Sequence, residues 1–177
     1  VGERRLIRKS QPQRAWDFLF EAAGPGSTYV FSPEAHRALV EVIARLDYSR
    51  IGVHDWYVYA LARAIGLTWV IGEEPTLEYR QHGGNVQGAN SGASARDARM
   101  EKLRNGFYRN QFILIGRAAL QVGTFDAPHR IELASIVRDL EADGACARLR
   151  LALRWAQIRR DHVEGLKLAA ARLLRIW

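Results

Sequence analysis

The sequence predicts an α/β chain, with strands and helices mixed over residues 1–92 and a basic, purely helical region over 93–177. Three observations carry this expectation. Stretches rich in β-branched and aromatic residues at 28–31, 67–71 and 76–79 lie between turn-forming residues and read as short strands. The run 56–65 holds one charge, Arg63, and stops at Gly66, which describes a helix buried on most sides and closed by a left-handed glycine. From Ser94 onward the apolar residues recur at helical spacing.

Composition sets the frame. With 48% hydrophobic and 10% aromatic residues in 177, the chain can bury a core and is not disordered. Its single cysteine, Cys146, excludes an intrachain disulfide and a CxxC metal site, fits a reducing cytoplasm, and is expected to be a small buried side chain. Arg4, Arg5, Arg8 and Lys9 interrupt the opening residues, so no signal-peptide core is visible, and no apolar run approaches the ~18 residues of a membrane span. A cytoplasmic location is therefore expected. Residues 91–177 carry sixteen basic against nine acidic residues, whereas 1–90 are balanced, so the whole +7 excess lies in the second half. That asymmetry implies an acidic partner surface. Nucleic acid is not expected, because the arginines are spread along several helices without a recognised fold signature.

Taken in order, the apolar residues 16–23 lead into Gly24-Pro25-Gly26, a turn, and the strand expected at 28–31. Ser32-Pro33-Glu34 starts a helix with a capping hydroxyl, proline in the first turn and an early acid. Leu39, Val42, Ile43 and Leu46 then share one face, opposite Arg37, Glu41 and Arg45. His54-Asp55-Trp56-Tyr57 opens the next helix. Asp55 reads either as an N-cap or, crowded by groups suited to binding, as a chemical carboxylate. Two strands around Glu73-Glu74-Pro75 deliver Arg80 and His82 to a glycine-rich loop, and residues 86–95 form a further loop, a candidate lid. Helices follow over about 96–122, from Asp126 to about Leu140, and one or two from Ala145, with breaks at Asp143-Gly144 and Asp161. His36, His129 and His162 are expected on the surface without partners. In the last helices arginines such as Arg148, Arg150, Arg160, Arg172 and Arg175 alternate with Leu149, Leu153, Trp155, Leu173 and Leu174. That is either a solvated basic face over an apolar packing face or an interfacial helix on anionic lipid.

The ordered combination of residues 24–30, His54-Asp55-Trp56, Tyr79-Arg80-Gln81-His82, Asn85 and Gly88 resembles the second half of the catalytic domain of inverting family-two glycosyltransferases. The likeness is closest to bacterial rhamnosyltransferase-like members and covers roughly residues 15–90. It implies a partial GT-A domain over 1–92, lacking its N-terminal nucleotide-binding half, with 93–177 as an extension. On this reading the chain is a fragment, inactive alone. The resemblance makes Asp55 the general base, with His54 standing where many relatives have a second acid. Gly26, Ser27 and Thr28 would line the acceptor side, and His54, Asn85 and Trp56 would also contact substrate, the Trp56 indole either stacking on a sugar or filling the core. Arg80 would grip phosphate oxygens through its fork. His82 would either complete a site for a divalent metal, Mg or Mn, held mostly by the absent half, or make a simple polar contact. The implied partners are a nucleotide-diphospho-sugar donor and a saccharide or lipid-linked acceptor, with an anionic membrane surface at the inner face of the plasma membrane as a further expectation.

Overall fold

No strand pairs into a sheet among the described residues, 10–75 and 93–177 of the computed structural model, where every regular element is an α-helix or a 3-10 turn. The α/β expectation, and the partial GT-A domain with it, is thereby overturned. Residues 67–71 do alternate as a strand would, with Leu67, Trp69 and Ile71 partly covered and Thr68 and Val70 exposed. Alternation sets only which side chains face inward; a strand also needs a neighbour for its N–H and C=O groups. This segment instead anchors its first amide on the preceding helix, Leu67 N–H to Ala62 O at 2.9 Å. Residues 26–28 form a 3-10 turn, Gly26–Thr28, and beyond it Tyr29 and Phe31 meet Trp69 edge-on at 4.8 and 5.8 Å. Ring contacts, not a backbone ladder, hold these two segments together. The third expected strand, 76–79, lies outside the described residues.

The helices are α1 (Pro33–Ile43), α2 (His54–Ala64), α3 (Ala93–Arg104), α4 (Phe107–Val122), α5 (Ala127–Glu141), α6 (Ala145–Leu153), α7 (Trp155–Ile158) and α8 (His162–Leu173). Their starts follow local chemistry. Ser32 accepts the Ala35 N–H at 3.2 Å, Asp126 that of His129 at 2.9 Å, and Asp161 that of Glu164 at 2.9 Å, each satisfying an otherwise free donor of a first turn. α2 ends where Gly66 takes a φ of +78°, as its position after the apolar run requires. The helix expected over 96–122 is two helices, because Asn105 Oδ1 takes the Phe107 N–H at 3.0 Å and restarts the chain after Gly106. Residues 93–95, expected in a loop, begin α3; the rest of that loop is outside the described residues.

α2 packs on α4, α4 on α5, α5 on α6 and α6 on α8, while α7 joins α8 to the 3-10 turn Asp17–Leu19. One hydrophobic cluster takes Trp16, Tyr59 and Leu61 from one side of residue 92 and Phe112, Ile115, Leu133, Ile136 and Leu140 from the other. Two expectations for the last helices fail. Arg160 and Arg172 are buried rather than solvated, while Leu149, Leu153, Leu166, Leu173 and Leu174 are exposed, and Cys146 is exposed too. Arg172 is held inside because its guanidinium donates to Trp177 O at 2.7 Å and to Ala142 O at 2.7 Å beyond the end of α5, where Arg109 also donates to Leu140 O at 2.7 Å. Cations at a helix C-terminus meet its unpaired carbonyls and the negative end of its dipole.

Candidate active site

α2 starts at His54, with Val53 in the capping position, so Asp55 is in the first turn but is not the N-cap. Its Oδ1 accepts the Trp56 N–H at 2.8 Å, one of the free donors of that turn. Oδ2 makes no hydrogen bond among the described residues. His54 beside it is exposed and Asp55 is partly so. A partly exposed carboxylate at the positive end of a helix can accept a proton from a hydroxyl brought against it.

The Gly24–Thr28 loop folds onto this point. Tyr29 Oη donates to Gly24 O at 3.0 Å, and Thr28 Oγ1 donates to Pro25 O at 2.7 Å, which makes the loop a closed turn. A Cβ added to Gly26 would stand 3.1 Å from Asp55 Cβ and 3.6 Å from His54 Nε2. Glycine thus lets the loop backbone lie directly on the start of α2. Burial pushes the Tyr29 phenol up to about 12, with the Asp55 charge adding to the rise, so Tyr29 stays a neutral donor to Gly24. Gly26, Ser27, Thr28, His54 and Asp55 are therefore brought together on one surface. Arg80, Asn85 and His82 lie outside the described residues. Two surface hollows, one along α3 and one beside Arg109 and Trp177, include none of these residues.

Trp56 takes the packing alternative. Its ring is 5% exposed, lies 5.4 Å from Phe112, and donates its Nε1–H to Phe18 O at 2.8 Å, so the indole presents no face for a sugar. It anchors α2 from below. A residue with no local signal fixes the approach to the helix. Gln111 of α4, 2% exposed, accepts the Gly52 N–H at 3.0 Å and donates to Arg50 O at 3.2 Å. Its only sequence-level mark is an amide in an otherwise apolar stretch, Phe112 to Ile115.

Beneath α2 lies a buried ionic network that also went unforeseen. Asp17, fully buried, accepts from Tyr59 Oη at 2.8 Å and from Arg63 Nη1 at 3.0 Å. Arg160 approaches its other side at 3.8 Å and also donates to Glu21 Oε2 at 3.3 Å. Burial raises the Asp17 carboxyl above its ordinary range, and Arg63 opposes the rise. These groups join α2 to the α7–α8 connection and hold the scaffold; none reaches Asp55. His129 and His162 are exposed but do have neighbours, His129 in Asp126 at 2.6 Å, and His162 in Arg14 at 2.5 Å. Among the described residues no group of three metal-ligating side chains exists, and His82, the ligand that the resemblance implies for a divalent metal, lies outside them.

Neither a family model nor a solved structure matches the chain. It is similar to dTDP-rhamnosyl transferase RfbG of Shigella flexneri, 32% identical over 181 residues, an alignment that takes in 99% of this chain and 57% of that protein. The chain thus spans a little over half the length of the curated relative it matches.

Proposed function

We propose that this chain is part of a glycosyltransferase that moves a sugar, rhamnose on the strength of the relative's name, from a nucleotide-diphosphate donor to a saccharide acceptor. The observation that carries the reading is 32% identity running through 99% of the chain, which includes both the Gly26 loop and the start of α2. A non-enzymatic basic module is not favoured, since nothing comparable supports it.

On this reading Asp55 is the general base. An acceptor hydroxyl set against Oδ2 gives its proton to the carboxylate as its oxygen attacks the anomeric carbon from the face opposite the diphosphate. The new carbon–oxygen bond forms as the bond to the phosphate oxygen breaks, and the nucleoside diphosphate leaves with that electron pair, so the anomeric configuration inverts. The closed turn at 24–28 supports a role for Ser27 and Thr28, both exposed, in orienting the acceptor. Arg80, His82 and Asn85 keep the roles that their positions in the resemblance suggest, phosphate grip, metal contact and substrate contact.

The test is Asp55→Asn in the full-length protein with dTDP-rhamnose as donor. Turnover is expected to fall by about a hundredfold or more. Stability should change by less than ~1 kcal/mol, because the asparagine carbonyl can still accept the Trp56 N–H. Near-normal turnover in a folded variant would remove Asp55 from the chemistry, and no transfer by the wild type from any nucleotide-sugar of a panel would remove the reading itself.

A further inference from the structure

α8 is inside out. Its buried positions are Gly165, Ala169 and Arg172, whereas Val163, Leu166, Leu173 and Leu174 are exposed at 61%, 57%, 48% and 72%. At 100° per residue these four fall within one arc of about 100°, with Ala170 between them and Lys167 at its edge. An ordinary surface helix has its large apolar residues on the opposite side. The small buried face follows from close packing, since a Cβ on Gly165 would meet Trp155 O at 2.3 Å. Trp155 itself is 37% exposed and touches His162 at the head of the helix, 5.6 Å between ring centres.

We propose that this outward stripe of α8, with Trp155 at its head, docks on an anionic lipid surface. Charge favours that occupant. Residues 145–177 hold eight basic side chains, of which Arg160 and Arg172 are buried, and two acidic ones, Asp161 and Glu164. Asp161 is turned to capping α8, and Glu164 pairs with Lys167 at 2.8 Å. Arg150 of α6 and Arg175, next in the chain to Leu174, remain exposed, Arg150 bound to Asp139 at 2.5 Å and Arg175 3.9 Å from Asp143. A second copy of the chain would bring the same excess of positive charge to the contact. A bilayer with anionic headgroups matches both features, since leucines enter the acyl boundary, tryptophan rests at headgroup depth and basic heads stay in the polar layer. No helix among the described residues is long and apolar enough to cross a membrane, so the contact is lateral. The inference stands apart from the sugar-transfer reading and survives its failure.

Co-flotation of the full chain with vesicles of phosphatidylcholine alone, or mixed with phosphatidylglycerol, tests it. Retention on the anionic vesicles at low salt, weakened by added salt and absent on phosphatidylcholine, is expected. Leu166→Gln with Leu174→Gln should lower partitioning by about tenfold or more at unchanged melting temperature, both side chains being exposed. Absence of retention at low salt, or equal retention of the folded double variant, overturns the proposal. So does a dimer in solution that the same two substitutions dissociate, which would give the stripe to a second copy.

Discussion

Arg63 joins groups that burial alone would make costly. Its Nη1 bonds both Asp17 and Tyr59 Oη, its Nη2 reaches Arg14 O at 3.2 Å, and its side chain is only 17% exposed. Removing one partner of such a pair leaves the other charged and buried, so Arg63→Met is expected to lower stability by about 3 kcal/mol in urea unfolding at neutral pH. The sign of the pH dependence follows from Asp17. Its folded pKa is already raised by burial, and Arg63 is the largest influence lowering it, so the variant's carboxyl rises further. A carboxyl raised in the folded state penalises folding fully above its folded pKa, and the penalty is gone below its unfolded one. The variant's deficit against wild type should therefore narrow as pH falls from neutrality; a deficit constant with pH would separate Asp17 from Arg63. At this scale the sequence was partly legible. Asp55 and Gly26 carry local marks, a carboxylate before an apolar run and a glycine-bounded turn. Asp17 with Arg160 and Gly52 with Gln111 do not, since each pair is assembled by tertiary packing across a long separation.

Helix starts were readable because they are local: Ser32, Asp126 and Asp161 each cap within three residues. Strand pairing was not, because a ladder needs a second segment, and 67–71 meets 29–31 through rings alone. The last helices defeated the usual inference from amphipathic pattern for a related reason. In α6 and α8 several of the positions that face the bundle, Ala147, Gly165 and Ala169, are small and set by closeness, beside the bulky Leu151 and Arg172. Gly165→Ala tests that account. The new methyl would collide with a backbone carbonyl of α7, which cannot swing aside as a side chain can, so a loss of about 1–3 kcal/mol is expected by chemical denaturation despite the better helix propensity of alanine. A neutral or stabilising result would mean that α8 stands off from α7.

Across the whole molecule the residues expected to form two regions share one core, and the contacts that join them are specific. Trp16 N–H reaches Gln157 O at 3.0 Å, Arg159 Nη1 reaches Phe20 O at 2.9 Å, and Arg160 N–H reaches Glu21 Oε1 at 2.6 Å. The change at residue 92 from a mixed to a basic composition was legible, but it marks charge, which sits on the surface, and charge says nothing of how cores merge. One consequence concerns time. The Gly52 amide precedes α2 and belongs to no helix, yet its hydrogen is held by Gln111 of α4, in the chain's second half. Exchange of that hydrogen with solvent should be as slow as that of the helical amides of α4, because it requires α4 to lift away. In Gln111→Leu it should quicken by about a hundredfold while the amides within α4 keep their rates. Read by mass or by NMR, that single hydrogen clocks how often the approach to Asp55 comes loose from the scaffold.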